Sequence, residues 1–194
     1  HKLAPATIAA IQDAVREGIT FVMATGKARG PWVRELRNDL GLTTDGFTIN
    51  GPGVFIQGLL VCDSDSKPVQ ELLLSNAAVR QVNAFCAEHQ ISVLAYGTGD
   101  RLLCTETDKY TDIAYEYNEP PPEAVGRAQM DLLGTEEGQA NVYKMLLIGD
   151  EPKLAALRAQ LEEETRGSMA LTKAMDGMLE LLPPGASKAT GVAA

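Results

Sequence analysis

The sequence predicts an α/β protein with a doubly wound parallel core sheet, into which a second α/β region is inserted. Helical and strand patterns alternate over residues 1–53, and the strand pattern at residues 19–24 is apolar on both faces. Continuous apolar strands are typical of parallel sheets that helices cover on both sides. After Gly53 the pattern changes to shorter strands and helices in mixed order, which indicates the insert.

The first elements are predicted in the order helix, strand, helix, strand. Residues 5–18 favour a helix, because their apolar residues recur at spacings of three and four. Residues 19–24 follow as a buried strand. Gly30-Pro31 marks the start of a second helix that Gly41 ends, and residues 47–50 favour a short strand. This order favours parallel strands with right-handed crossovers.

The insert is predicted to span residues 54–176, and the core to comprise residues 1–53 and 177–194. A glycine turn at Gly58 divides the first strands of the insert. Strands are predicted at 54–61, 91–96, 101–105, 142–148, 168–172 and 178–182. Helices are predicted at 69–89, 122–133 and 151–166.

Composition limits the kinds of partner and chemistry. The formal net charge of −9 argues against nucleic acid or an anionic membrane surface as the main partner. The chain has three cysteines and no C-x-x-C pair, which disfavours a structural zinc site or a disulfide framework. His1 and His89 are the only histidines, so a histidine-based catalytic triad is not expected.

Thr25-Gly26-Lys27 follows the first predicted strand and resembles half of a phosphate pocket. Ligands of open α/β sheets bind at the carboxyl ends of such strands. There the hydroxyl of Thr25 is expected to be free, and the N–H of Gly26 can point at an anion. The second half is expected near the C-terminus, where a strand and a turn deliver Lys188 to the start of a helix. An ordinary turn and a surface lysine are the alternative interpretations.

Two nucleotide-binding motifs do not fit. A P-loop needs a glycine where Phe21 stands and a serine or threonine where Ala28 stands. A dinucleotide site needs G-x-G-x-x-G between a strand and a helix, and Gly51-Pro52-Gly53 is not followed by a helical pattern.

Together, these segments resemble the haloacid dehalogenase superfamily of phosphatases, in the Cof-type branch with a large α/β cap. Residues 18–27 are similar to its second motif, usually T-G-R, and Asn50-Gly51 to the N-G that ends the next core strand. Residues 142–145 resemble the cap strand that carries a lysine, here Lys144. Residues 179–188 resemble the third motif, with its lysine at Lys188. Two further stretches, A-T-G-K-A-R and P-G-V-F-I-Q-G-L-L-V, are similar to plastid members of plants and algae.

The resemblance implies an Mg²⁺-dependent phosphatase that acts on small phosphate esters, such as sugar phosphates, through an aspartyl-phosphate. Thr25 is then expected to hydrogen-bond a phosphoryl oxygen beside the Gly26 N–H, and Lys188 to offset the negative charge. Asn50 and Gly51 would orient the pocket or bind substrate. Lys27 replaces the usual arginine, so it supplies charge without a bidentate fork. The inserted cap would select the substrate.

Two motifs of the family are not found in the sequence. The D-x-D-x-T nucleophile motif is expected ahead of His1, and the G-D-x-x-N-D metal motif beyond Ala194. We therefore expect an internal segment that is inactive alone and has no metal ligands. A non-catalytic binding or scaffold protein with this fold is the alternative function. The resemblance places the protein in the chloroplast, and otherwise the cytoplasm is expected.

Overall fold

The structure, a computed structural model, describes residues 3–41, 52–138 and 140–194. These residues form two compact units. The first unit comprises residues up to Glu71 together with Ser187–Ala194, and the second comprises Leu72–Ala186. The protein is therefore of mixed α/β class, with one sheet in each unit.

Helices and strands follow one another in mixed order in both units. The helices are α1 (Pro5–Arg16), α2 (Pro31–Leu40), α3 (Asn76–Glu88), α4 (Ile113–Glu116), α5 (Arg127–Leu132), α6 (Glu151–Glu164) and α7 (Lys188–Val192). The strands are β1 (Met23–Ala24), β2 (Gly53–Phe55), β3 (Leu60–Cys62), β4 (Pro68–Glu71), β5 (Ser92–Gly97), β6 (Arg101–Cys104), β7 (Pro122–Ala124), β8 (Val142–Ile148), β9 (Ala170–Met175) and β10 (Met178–Leu182). A short 3-10 turn, Ile56–Gly58, joins β2 to β3.

The sheet of the first unit has the strand order β1-β2-β3-β4. β1 and β2 are parallel, with Met23 opposite Gly53, whereas β3 and β4 continue the sheet in antiparallel fashion. Proline at the first turn and a left-handed glycine at the end delimit α2, as the sequence predicts. The parallel pair brings the end of β1 next to the start of the 56–58 turn.

The second unit has a six-stranded sheet in the order β7-β6-β5-β8-β10-β9. Its strands are antiparallel except for the β6–β7 pair. One face of the sheet packs on α3, α5 and α6 and forms a continuous apolar core, with Val82, Met145 and Leu181 fully buried. This unit therefore has a hydrophobic core of its own.

Several predicted elements differ from the observed ones. Residues 19–22 do not continue β1, and Ile19 is 61% exposed and Val22 46% exposed, so their predicted burial is wrong for the described residues. Only Met23 and Ala24 find pairing partners in β2. The predicted helix at 69–89 begins only at Asn76, because Pro68–Glu71 pairs with β3 instead. The predicted helix at 122–133 is shortened in the same way, since Pro122–Ala124 pairs with β6.

The predicted domain boundaries at 53/54 and 176/177 differ from the edges of the compact units. β3 and β4 extend the sheet of the first unit, so that unit runs to Glu71. β10 pairs with β8, so the second unit runs to Ala186. The predicted strand at residues 47–50 lies outside the described residues.

Candidate functional site

Thr25 begins a tight turn directly after β1. Its N–H donates to the carbonyl oxygen of Val54 at 2.8 Å, which continues the pairing of β1 with β2. Its hydroxyl oxygen accepts the N–H of Lys27 at 3.2 Å. One of the two acceptor positions of the hydroxyl is therefore occupied, whereas the sequence suggested a free hydroxyl, and its own proton remains available to donate. This geometry suits donation to an oxyanion.

Lys27 is directed at an aromatic ring within the first unit. Its Nζ atom lies 5.4 Å from the ring centroid of Trp32, which is within the range of a cation–π interaction. The indole of Trp32 donates to the carbonyl oxygen of Ala28 at 2.8 Å and contacts the ring of Phe55 at a tilted angle. Trp32, which is itself held by Ala28 and Phe55, therefore favours a position of the Lys27 ammonium over its ring.

The 56–58 turn holds the Thr25–Lys27 turn by two backbone hydrogen bonds. The N–H of Gln57 donates to the carbonyl oxygen of Thr25, and the N–H of Ile56 to that of Lys27, both at 2.9 Å. The side chain of Gln57 covers Gly26: a Cβ atom on Gly26 would lie 3.2 Å from Cγ of Gln57. The two turns therefore pack directly on each other.

The opposite side of the 56–58 turn contacts the start of α7. Gly58 has φ +93°, and a Cβ atom there would overlap the carbonyl oxygen of Ser187. A Cβ atom on Gly191, in α7, would lie 2.8 Å from Cα of Gly58. Glycines at positions 58 and 191 therefore permit a backbone-to-backbone approach that no other residue allows.

Lys188 opens α7, as the sequence predicts, and its side chain is exposed. Ser187 caps this helix by accepting the N–H of Thr190 at 3.1 Å, and the Thr190 hydroxyl accepts the N–H of Ser187 at the same distance. This reciprocal capping box fixes the helix start. Thr25 and Ser187-Lys188 consequently lie on two sides of one three-residue turn. Asn50 and Gly51 lie outside the described residues.

Sequence reasoning missed Gln57 as a neighbour of Thr25 and Gly26. Only Gly58 carried a local signal, because a glycine between two apolar stretches favours a turn. The contact of Gln57 with Gly26 spans 31 positions and depends on the β1–β2 register, which no local pattern encodes.

In the second unit, Lys144 forms a buried ion pair with Glu180. Lys144 Nζ lies 2.7 Å from Glu180 Oε1, and both side chains are almost inaccessible. The same ammonium lies 4.2 Å from the ring centroid of Tyr96. Burial, and then the carboxylates of Glu119 and Glu180, raise the pKa of Tyr96 well above its ordinary value. Tyr96 therefore remains a neutral phenol beside the ion pair.

The three cysteines are free thiols and all are buried. Burial raises the pKa of Cys86 to about 12, against a smaller opposing effect of Arg127. Burial, reinforced by nearby carboxylates, raises the pKa of Cys104 to about 11. Thiols with such pKa values are poor nucleophiles and poor metal ligands at neutral pH.

The second unit also has an open cleft of about 430 Å³, which Cys86, Ser92, Asp108 and Arg127 help to line. Burial alone would raise the pKa of Asp108, but hydrogen bonds from Ser92, Thr111 and Tyr110 outweigh it, so this pKa lies below its ordinary value. Arg127 is paired with Asp131. Asp108 and Arg127 are thus held by neighbouring residues.

Within residues 3–41, 52–138 and 140–194, no group of three or more histidine, cysteine or acidic side chains could hold a metal ion. In the same part of the chain, no helix has the length and apolar character needed to cross a membrane.

Comparisons of the sequence and of the fold with known proteins lead to the same family. The family model of haloacid dehalogenase-like hydrolases matches residues 1–194. The chain belongs to this family. Among solved structures, a haloacid dehalogenase-like hydrolase from Bacteroides thetaiotaomicron superposes with a TM-score of 0.79 at 19% identity, covering 99% of this chain and 68% of its own. A putative HAD/COF-like hydrolase from Plasmodium vivax gives 0.80 at 18% identity, covering 98% of this chain and 65% of its own.

Two further proteins that are similar to this chain have names that state an activity of their own. A sugar phosphatase of HAD subclass IIB superposes with a TM-score of 0.72 at 14% identity, covering all of this chain and 67% of its own. The chloroplastic endoribonuclease YBEY of Arabidopsis thaliana is 31% identical over 194 residues, 98% of this chain. The chain spans about a third, 32%, of the length of that relative. The structural matches establish the Cof-type fold.

Proposed function

We propose that the complete protein to which this chain belongs is an Mg²⁺-dependent phosphatase that hydrolyses small phosphate esters, sugar phosphates among them, through an aspartyl-phosphate. Membership of a hydrolase family and a fold shared with a sugar phosphatase support the reaction class. The observation that carries the proposal is the position of Thr25 and Ser187-Lys188 on two sides of the 56–58 turn.

Thr25 and Lys188 perform complementary parts of phosphoryl transfer. The Thr25 hydroxyl donates its proton to a phosphoryl oxygen, while the Lys27 N–H bond to the hydroxyl oxygen fixes its direction. The Lys188 ammonium offsets the negative charge on the phosphoryl oxygens and the nucleophile. Placing donors and cations where charge develops is the main source of rate in this reaction class. Lys27, Gly26, Asn50 and Gly51 complete the proposed phosphate and substrate contacts.

We assign no Mg²⁺ ligand among the described residues, in which no group of three or more histidine, cysteine or acidic side chains could hold a metal ion. When bound in the complete protein, the ion would neutralise phosphoryl charge.

The second unit is proposed to be the cap that selects the substrate. It has a continuous apolar core of its own, which suits a domain that moves as a lid. Exchange of Leu72–Ala186 for the matching unit of another Cof-type protein should change the preferred phosphoester. An unchanged preference would contradict this role.

A phosphate-release assay tests the reaction. Protein expressed from the complete reading frame is incubated with Mg²⁺ and a panel of sugar phosphates and other small phosphomonoesters, with and without EDTA. We expect phosphate release from at least one sugar phosphate, and its loss with EDTA. Orthophosphate binding without any turnover would favour the non-catalytic binding protein instead.

A chloroplast location is part of the proposal and rests on the chloroplastic relative. A fluorescent fusion to the complete reading frame, imaged in plant cells, should colocalise with chlorophyll. Diffuse cytoplasmic fluorescence would contradict it.

A further inference from the structure

Gln57 contacts the Thr25–Gly26 part of the proposed phosphate site, and the residue after it contacts the start of α7. Its N–H donates to the carbonyl oxygen of Thr25 at 2.9 Å. Its side chain lies over Gly26, with Cγ 3.2 Å and Nε2 3.6 Å from the position of a Cβ atom there. The residue after it, Gly58, abuts the carbonyl oxygen of Ser187. Gln57 and Gly58 together therefore connect the Thr25 turn to the start of α7.

The backbone at this point is strained. Ile56 has φ 48° and Gln57 has φ 59°, so two successive residues with side chains occupy the left-handed region. This conformation is unfavourable, most of all for a β-branched residue such as Ile56. Such strain persists only where surrounding contacts impose it, and it concentrates at functional sites. Here the two hydrogen bonds to Thr25 and Lys27 impose it.

Resting on the phosphatase function proposed above, we infer that Gln57 is a positioning residue of the phosphate site. Its strained backbone holds the Thr25 turn at a fixed separation from α7. Its neutral side chain forms the wall of the site over Gly26. A carboxylate of the same shape would repel the phosphoryl group through a partly buried path, where charges interact more strongly than in water.

The test compares Gln57→Glu and Gln57→Ala in protein from the complete reading frame. The dissociation constant of orthophosphate is measured for each variant between pH 5 and pH 8.5. It is divided by the wild-type dissociation constant at the same pH, which gives the binding ratio. The values of kcat and KM are measured for the best substrate. At pH 8 we expect Gln57→Glu to weaken orthophosphate binding about tenfold, as for one repulsive charge near the ligand. The ratio should be smaller at pH 5 than at pH 8, because orthophosphate carries less negative charge at the lower pH and is repelled less by the carboxylate.

Gln57→Ala should lower kcat more than it raises KM, with a loss of about tenfold to a hundredfold in kcat because Thr25 is less well oriented. Its ratio of dissociation constants should not vary with pH. The matched control is Gln70→Glu, the same change on β4 of the same sheet. It should leave binding and turnover at wild-type levels.

A merely structural role would lower the melting temperature and leave the pH dependence of the binding ratio flat. Wild-type orthophosphate binding in Gln57→Glu at pH 8 would overturn the role of Gln57 alone. Absence of orthophosphate binding and turnover in the wild-type protein would overturn the proposed function and this role with it.

A second pair of variants tests the contact with Gly26 directly. Gly26 is not among the left-handed glycines, and the three atoms that would lie nearest to a methyl group added there all belong to Gln57. Gly26→Ala should therefore reduce turnover by displacing Gln57. Gly26→Ala combined with Gln57→Gly, which suits the left-handed backbone, should turn over faster than the product of the two single effects predicts, by about tenfold. Independent effects of the two changes would overturn the inferred packing.

Discussion

At the scale of single residues, the sequence predicted Thr25 at the end of β1 and Lys188 at the start of α7. It did not predict Gln57, which lies between them. Thr25 follows an apolar run and Lys188 follows a turn, so local patterns predict both positions. Gln57 lies in a strained turn, and its side chain contacts Gly26, which is 31 positions earlier in the chain. Whether Thr25 and Lys188 act on one anion stays a prediction.

Lys188→Ala in the complete protein should abolish turnover, because the variant cannot offset phosphoryl charge. The side chain is exposed, so the free energy of unfolding should change by less than about 0.5 kcal/mol. Phosphate release and urea unfolding measure the two effects. The control is Lys67→Ala, another exposed lysine of the first unit. Retained turnover in Lys188→Ala would show that the site is elsewhere.

Tyr96 should make the protein sensitive to alkaline pH. Its pKa is raised above the ordinary 10.0, so the unfolded chain releases the phenol proton first. The stabilisation is complete below pH 10 and is lost as the pH rises above it, at a slope of about 1.4 kcal/mol per pH unit for one group. Urea unfolding between pH 8.5 and pH 11.5 should show a shallower decline in Tyr96→Phe than in wild type. Cys86 contributes equally in both proteins, so parallel curves would contradict the prediction.

At the scale of elements, pairing with a neighbouring strand determined the secondary structure of stretches whose local sequence is compatible with a helix. The stretches at 68–71 and 122–124 carry helix-compatible sequences, yet each forms a strand because a neighbouring strand offers hydrogen bonds. The long periodic helices α1, α3 and α6 were predicted within a few residues except at the start of α3. A buried ion pair then joins the neighbouring strands β8 and β10.

Lys144→Met should destabilise the protein strongly, by about 3–5 kcal/mol, because it leaves the carboxylate of Glu180 buried without its ammonium. The double variant Lys144→Met with Glu180→Leu should recover most of this loss, since no buried charge then remains. Urea unfolding measures both. Equal stability of Lys144→Met and wild type would show that water reaches Glu180 easily.

At the scale of the whole molecule, the family and its α/β class followed from a few motifs that stand along the chain in the order typical of the family. The boundary between the units did not follow, since it depends on which sheet β3, β4 and β10 join. The first unit leaves Ile19 and Val22 exposed, whereas the second buries a continuous core.

We expect Leu72–Ala186 to fold when expressed alone, because the sheet β5–β10 and its apolar core lie entirely within it. Thermal unfolding followed by circular dichroism should show one cooperative transition, and amide resonances should be well dispersed. Lys144→Met in the same segment is the control and should lower its melting temperature. A gradual, non-cooperative melt would contradict an independent fold.

The buried thiols make site-specific labelling straightforward. Cys62, Cys86 and Cys104 are shielded from reagents, and Cys86 and Cys104 stay protonated at the mildly alkaline pH that maleimides require. A cysteine placed at an exposed position of each unit should therefore react alone. Pairs of fluorophores attached in this way to this chain would report the distance between the two units while Cys62, Cys86 and Cys104 remain in place.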